Sequence, residues 1–187
     1  MAIDPQVEIR AFRDLTERAL RSAAARSLNR AATTVRQEAT TRIRETLNLK
    51  SSDVKNAIQI DKASAREDLL TMKATLIPDR HGIPLVAFSP REKTIKTKDG
   101  KKTGVTVKVK TERKLVVGAF LATMPNGHVG IFKRRGKSRL PIKEAFSTSV
   151  ADIFKNKDFL DSLKAFSRQV FEQNFTRELK YQLSKKG

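Results

Sequence analysis

Apolar side chains recur at every third or fourth position from about Pro5 to Leu47, with polar or charged side chains between them. This spacing predicts one long amphipathic helix, in which neither Gly nor Pro occurs after Pro5. The apolar stripe is rich in alanine, whose small side chain lets another helix or a sheet approach closely. A helix of this length overhangs the core of a small protein. The overhang is covered either by a neighbouring subunit or by the rest of its own chain.

In the middle of the chain apolar and polar residues alternate instead, and this pattern predicts β-strands. A short helix is expected before them, at Asp53–Ile58. Leu115–Ala122 is apolar at both alternate positions, so it is expected to be a central strand covered on both faces. The turn sequence Pro125-Asn126-Gly127 predicts a hairpin over residues 115–133. Further strands are expected over residues 70–76, 84–88 and 105–109.

Residues 89–104 are polar, basic and poor in apolar side chains, and they contain the hairpin dipeptide Asp99-Gly100. They are expected to form a long mobile hairpin or loop that orders against a partner. Residues 142–146 begin either a helix or an edge strand. The spacing of Phe and Leu residues predicts a helix again from about Ala151 to Leu183.

The predicted fold class is α+β: a long N-terminal helix, a small and mostly antiparallel sheet with β-hairpins in the middle, and a long C-terminal helix. All 187 residues are expected to form one domain. Its parts are a helical arm over residues 1–60, a basic β region over 61–150 that contains the mobile loop 89–104, and the C-terminal helix over 151–187.

The formal net charge of +19 is concentrated in the middle of the chain. Residues 61–150 carry 20 basic and 8 acidic side chains, whereas residues 1–60 carry 11 and 7, and residues 151–187 carry 8 and 5. A basic field of this size favours an anionic partner, although a single run of charges also serves to keep a protein soluble. Two basic runs in one region favour a partner surface for protein or DNA. Its candidate residues are Lys96, Lys98, Lys101, Lys102, Lys133, Arg134, Arg135, Lys137 and Arg139.

Residues suited to catalysis are scarce. The chain has no Cys and only two His, and neither His stands in the spacing of a metal site. The near match to a phosphate-binding loop at Gly130–Ser138 has five residues between its glycines, where the motif requires four. We therefore expect no enzyme activity, no cofactor and no metal. The longest mostly apolar run, Leu115–Met124, is too short to span a bilayer, so a soluble protein without a membrane partner is expected.

Three stretches of the chain carry a resemblance to a known family. They are the helical segment Arg26–Arg36 with its continuation through Ile43–Lys50 to Val54-Lys55, the stretch Gly118–Arg134, and Arg139-Leu140-Pro141-Ile142 followed by a long helix. Gly118–Arg134 reads Gly-Ala-Phe-Leu-Ala-Thr-Met-Pro-Asn-Gly-His-Val-Gly-Ile-Phe-Lys-Arg. Together they resemble the phage minor tail protein Z family over roughly residues 20–185, while the Lys-rich stretch 91–114 does not match the family pattern.

The resemblance implies a tail-completion or neck protein of a tailed bacteriophage or prophage, which joins the tail to the head and lets DNA pass. It implies a hexameric ring in the virion tail or neck, after assembly in the host cytoplasm. Its partners would be further copies of itself and the adjoining terminator, tail-tube and head-completion or adaptor proteins. Transient contact with viral DNA is also implied.

The charge leaves one alternative open: a free basic nucleic-acid-binding protein, either ribosome-associated or nucleoid-like. Within the phage hypothesis the basic loops have two roles to choose between. They bind acidic faces of adjoining proteins or they line the path of the DNA, and we favour the protein partner because tight DNA contacts would hinder passage.

Overall fold

The computed structural model describes residues 5–97 and 100–184. The chain begins with one long helix, continues through short strands, and ends with a second long helix, so the predicted α+β class is confirmed. The elements in order are α1 (Pro5–Thr46), α2 (Ser51–Asn56), β1 (Ile58–Asp61), β2 (Thr75–Pro78), β3 (Gly82–Pro84), a 3-10 turn (Leu85–Ala87), β4 (Arg91–Thr97), β5 (Gly100–Val107), β6 (Lys114–Val117), β7 (Ala119–Thr123), β8 (Val129–Arg134), β9 (Ile142–Glu144), β10 (Phe146–Ser149), α3 (Val150–Phe154) and α4 (Lys157–Ser184).

The elements group into two compact units. The first unit comprises α1 up to Ala39, residues Ile58–Ile77 and α4, and the second comprises Thr40–Ala57 and Pro78–Asn156. The predicted single domain, with its boundaries at residues 60 and 150, stays a prediction.

The first unit is built on the apolar stripe of α1. Ala23, Ala31, Val35 and Ala39 are buried at the predicted helical spacing. The side chain of Asn29 holds the chain after β1 against this helix: its Nδ2 donates to the carbonyl of Ala63 at 2.9 Å, and its Oδ1 accepts from the Ala63 amide at 2.8 Å. These two hydrogen bonds satisfy the backbone amide and carbonyl of Ala63, which lies beyond the end of β1.

The second unit contains three antiparallel strand groups. They are the pair β3 with β10, the sheet β4-β5-β6 and the sheet β7-β8-β9. Phe88, Val105, Val107 and Ile131 are almost completely buried in this unit. The amide of Gly118 donates to the carbonyl of Thr103 at 3.0 Å, so β7 starts beside β5.

The C-terminal helical region is interrupted, which corrects the prediction of one helix from Ala151 to Leu183. A capping box starts α3, since the Asp152 amide donates to the Ser149 hydroxyl and the Asp152 carboxylate accepts from the Ser149 amide. The helix ends after one turn, and α4 begins at Lys157. The short second helix lies two residues earlier than predicted. It was expected over Asp53–Ile58, and α2 begins at Ser51 and ends at Asn56.

The structure differs from the prediction at three strands, because of backbone features that the alternation of apolar and polar residues does not reveal. The Asp68 carboxylate accepts the Leu70 amide at 2.8 Å, which places Leu70 in a turn and delays β2 until Thr75. The strand expected over residues 84–88 is a 3-10 turn after Pro84. Residues 108–109 lie beyond β5, whose last residue is Val107.

The apolar stretch Leu115–Ala122 is two strands and not one. Gly118 has φ of +73°, a conformation that β-strands do not adopt, and it separates β6 from β7. The two strands then join different sheets. Val117 and Leu121 are exposed, so the expectation that both faces are covered is wrong.

The predicted hairpin is confirmed in its turn and in its second strand, but its first strand is β7, which begins at Ala119 and not at Leu115. β7 pairs with β8 from Ala119–Lys133 to Thr123–Val129, with the turn between them. Residues 142–146 form edge strands, as in the second of the two alternatives. Within the predicted loop 89–104, β4 and β5 form a hairpin, while its residues 98 and 99 lie outside the described residues.

Candidate partner-binding surface

The predicted contact residues lie in two segments of the second unit. The β8 segment ends with Lys133 and Arg134 and continues into the loop that leads to β9. All five of its predicted residues are exposed: Lys133, Arg134, Arg135, Lys137 and Arg139. The other segment is the β4–β5 hairpin, in which Lys96 lies on β4 and Lys101 and Lys102 lie on β5. Lys98 lies outside the described residues.

The loop after β8 is closed at its base by the backbone. The amide of Arg135 donates to the carbonyl of Pro141 at 3.1 Å, which brings the two ends of the loop together. Gly136 has open space where a side chain would begin. Lys137 and Arg139 are therefore held on a short exposed loop beside the end of the sheet, and not on a long free segment.

Strand register adds a lysine that the sequence analysis did not include among the contact residues. Lys133 on β8 lies directly opposite Lys143 on β9, and both side chains are exposed. Partners in register point to the same face of a sheet. Like charges placed opposite each other destabilise a strand pair, so this arrangement is one that a negatively charged partner would relieve. The basic run does reach Lys143, but only the pairing of β8 with β9 places it beside Lys133.

Arg134 points to the opposite face of the same sheet. Its guanidinium carbon lies 5.2 Å from the centre of the Phe120 ring, a cation–π arrangement. That ring in turn lies 6.3 Å from the ring of Phe132, which is its partner in register. The basic run is thus divided between two faces, with Lys133 and Lys143 on one and Arg134 on the other.

The face of Lys133 also presents apolar side chains. Leu121 and Val129 alternate in phase with Lys133 along β7 and β8, and they are 40% and 43% exposed. Ile131, which is the partner of Leu121 in register and lies between Val129 and Lys133 on this face of β8, is fully buried. A surface that combines apolar side chains with lysines differs from a surface of cations alone, since a nucleic-acid backbone is bound mainly through charged and polar contacts.

Little acidic charge offsets these cations. Glu144 is the only acidic residue between Glu112 and Asp152. Its Oε1 lies 3.0 Å from Nε2 of His128, so this carboxylate is already engaged by a neighbour on its own sheet. Among residues 5–97 and 100–184, none of the five basic residues of the β8 segment forms a salt bridge.

The β4–β5 hairpin holds the second group of lysines. Its register places Lys96 opposite Lys101, and the neighbouring pair joins Ile95 with Lys102. The middle of the hairpin is held beside the start of β7, since the Gly118 amide donates to the carbonyl of Thr103, which is opposite Thr94. One surface shared by all nine predicted residues stays a prediction.

The described part of the chain shows no group of three or more His, Cys, Asp or Glu side chains arranged to hold a metal ion. Within the same residues, no helix is both long enough and apolar enough to cross a membrane.

The model of the prophage minor tail protein Z (GPZ) family matches residues 6–186, which is nearly the whole chain. The chain belongs to this family, so the resemblance carried by its helices and hairpin is confirmed. Membership supports a structural role in a phage tail, together with other tail proteins as partners. No curated protein and no solved structure matches the chain.

Proposed function

We propose that this protein is a tail-completion or neck protein at the head-proximal end of a phage or prophage tail. In this role it joins the tail to the head, lets the DNA pass, and carries out no catalysis. The observation that carries the proposal is the family match over residues 6–186. The unneutralised basic surface at β8 and β9 supports it, because a joining protein needs a face that another component recognises.

The expected assembly is a hexameric ring in the virion, since a tail of sixfold symmetry presents six equivalent positions to a subunit at its end. The adjoining partners are the terminator, tail-tube and head-completion or adaptor proteins. The host cytoplasm is the place of assembly.

The basic surface contacts an acidic face of one of these proteins in preference to DNA. Lys133 and Lys143 share their face with exposed Leu121 and Val129, and apolar side chains gain from burial against protein. Phosphate contacts, in contrast, would hold the DNA and slow its passage. Transient contact with DNA remains compatible with the loop residues Lys137 and Arg139.

Deletion of the gene from the phage or prophage tests the proposal. The expected result is complete heads and complete tails that do not join, seen by electron microscopy, with infectivity restored by the wild-type gene supplied from a plasmid. Infectious particles with normally joined tails in the deletion strain would show that the proposal is wrong.

The alternative of a free nucleic-acid-binding protein predicts a different result. The protein would then be absent from purified particles and would bind duplex DNA or RNA with an affinity that falls steeply with salt. Detection of the chain by mass spectrometry in particles, and its measured affinity for DNA at two salt concentrations, separate the two functions.

A further inference from the structure

The first unit carries an apolar side chain that the described part of the chain leaves almost completely exposed. Leu70 is 95% exposed, the highest value among the exposed large apolar side chains of the described residues. It does not lie on a loose segment. The Leu70 amide donates to Asp68 Oδ1 at 2.8 Å, and the Met72 amide donates to the Asp68 carbonyl at 2.8 Å. A local turn therefore fixes the position of this exposed leucine.

The same unit carries an apolar groove that is lined by α1, by α4 and by Ala74 and Leu76 at the start of β2. Its volume is about 360 Å³, and Ala31, Ala32 and Leu163 in its wall are almost completely buried. Leu160 and Phe171 extend the apolar lining along α4. Alanines on the α1 side keep the groove open, because a larger side chain at those positions would fill it.

The rim of the groove is basic, and the turn carries charges of both signs, since Arg66 and Lys73 flank Glu67 and Asp68. Lys164 and Arg168 line the groove and are exposed. Lys164 has an exposed neighbour in Asp161 at 3.5 Å, and Arg168 forms no salt bridge within residues 5–97 and 100–184. On the turn, Asp68 lies two residues before Leu70 and is exposed. An acidic residue beside an apolar side chain thus matches an apolar groove with a basic rim.

We propose that the turn around Leu70 of one copy of this chain docks in the α1–α4 groove of a second copy. Leu70 enters the apolar groove, and Asp68 approaches Lys164 and Arg168. The two patches are different, so the contact is head-to-tail. In an open chain of copies one turn stays free at one end and one groove at the other, until the arrangement closes as a ring. The inference deepens the proposed function, since it names the contact that would join the subunits of the proposed ring.

The absence of Cys from the chain permits a direct test. Two variants are made, each with one cysteine: Leu70→Cys on the turn and Ser167→Cys in the groove. They are mixed in equal amounts and treated with a short bismaleimide crosslinker. Only two different copies can form the mixed crosslink. Thr33→Cys, an exposed position on α1, replaces Ser167→Cys in the matched control mixture.

The expected result is a crosslinked dimer from Leu70→Cys and Ser167→Cys at a yield about tenfold above the control mixture. The reaction is run on purified protein and on phage particles grown with both variants present, so that assembly on the tail is included. A yield equal to the control in both preparations would overturn the proposal. The double variant Leu70→Cys/Ser167→Cys is expected to give a ladder of multimers. Crosslinks confined to single chains would instead place the turn in its own groove and would also overturn it.

A double-mutant cycle tests the polar part of the contact. Asp68→Asn on the Leu70→Cys copy removes the charge and keeps an oxygen that can accept the Leu70 amide, so it should lower the crosslink yield by about two- to fivefold, which corresponds to an exposed ion pair. Arg168→Gln on the Ser167→Cys copy should cause a loss of similar size, and the two changes together should lose no more than either change alone. Losses that simply multiply would contradict the assigned partner.

Failure of this inference is distinguishable from failure of the proposed function. If the crosslink does not form but the deletion strain still leaves heads and tails unjoined, only the assigned interface is wrong. If the crosslink forms but the deletion strain is fully infectious, the contact is real and the neck role is wrong.

Discussion

Arg30 on α1 forms an ion pair with Glu178 on α4, and the glutamate side chain is only 5% exposed while the arginine side chain is 56% exposed. The other carboxylate oxygen, Oε2, lies 3.9 Å from Nη1 of Arg26 and accepts no hydrogen bond within the described residues. The pair connects the two long helices of the first unit. A buried carboxylate is tolerated only while a cation compensates it.

The variant Arg30→Ala is expected to lower the free energy of unfolding by about 1–3 kcal/mol, because it leaves a buried carboxylate with only a distant cation. Urea unfolding followed by circular dichroism measures this difference. Glu17→Ala is the matched control, since Glu17 pairs with Arg21 on the same helix but is exposed. Its expected effect is below about 0.5 kcal/mol. Equal losses in the two variants would contradict a special role for the buried pair.

The variant Lys143→Glu is expected to change stability and function in opposite directions. A glutamate opposite Lys133 replaces a repulsive pair by an attractive one, which should stabilise the fold by about 0.2–1 kcal/mol. The same change should weaken binding to isolated tails, because it removes positive charge from the proposed contact face. Thermal unfolding and co-sedimentation with tails measure the two effects.

Lys143→Gln is the control, since it removes the charge without reversing it. Its affinity for tails should lie between that of the wild type and that of Lys143→Glu. Unchanged tail binding in Lys143→Glu would exclude this face of the sheet from the contact.

Reversal of charge at the end of β8 and at the start of the following loop tests the other part of the surface. The double variant Arg134→Glu/Arg135→Glu is expected to lower affinity for tails by about tenfold or more, because complementary charges set the orientation and rate of association. The control Lys50→Glu/Lys55→Glu makes the same change in net charge at exposed positions in and beside α2. If both double variants lose the same affinity, net charge alone explains the effect and the loop is not the contact.

The long helices were predictable from the sequence because their signal is local. In α1 the apolar residues Ala32, Val35, Ala39 and Ile43, which recur every three or four positions, are buried. The β7–β8 hairpin was predictable for the same reason, since its turn residues specify the connection between neighbouring strands. Fold class followed from these elements alone.

The remaining features depend on backbone angles or on contacts between distant residues. Apolar and polar residues do alternate over residues 70–76, but the turn formed by Asp68 holds Leu70 outside a strand. The break at Gly118 depends on a positive φ, which an apolar pattern does not encode. The partnership of Lys133 with Lys143 depends on strand register, and the docking groove depends on how α1 and α4 pack.

The variant Gly118→Ala is expected to lower the free energy of unfolding by about 1–2 kcal/mol through backbone strain alone. Gly118 has φ of +73°, and the nearest atom to an added Cβ is Lys133 Cε at 3.9 Å, which is ordinary contact. Gly136→Ala is the matched control, because an added Cβ there has no neighbour within 4 Å and Gly136 does not have a positive φ. Chemical unfolding of both variants measures the difference, and equal stability would contradict a requirement for glycine at the break.

The variant Asp152→Asn is expected to remove a pH-dependent part of the stability. Lys155 Nζ lies 2.6 Å from the Asp152 carboxylate, and this contact, with those from the Ser149 side chain and amide, lowers the pKa of Asp152 from 3.8 to about 2. A carboxylate with a depressed pKa stabilises the folded state above its unfolded pKa, and the effect is lost as pH falls toward the folded pKa. The melting temperature of the wild type should therefore exceed that of Asp152→Asn most above pH about 5, and the difference should shrink as pH falls from about 4 toward 2.

Thermal unfolding at a series of pH values measures this difference. In a Lys155→Met background the Asp152→Asn change should have a smaller pH dependence, because the largest cause of the shift is absent. A difference between wild type and Asp152→Asn that stays constant from about pH 6 to about pH 2.5 would contradict the assignment. It would mean that the advantage of Asp152 over asparagine at the start of α3 does not depend on the charge of the carboxylate.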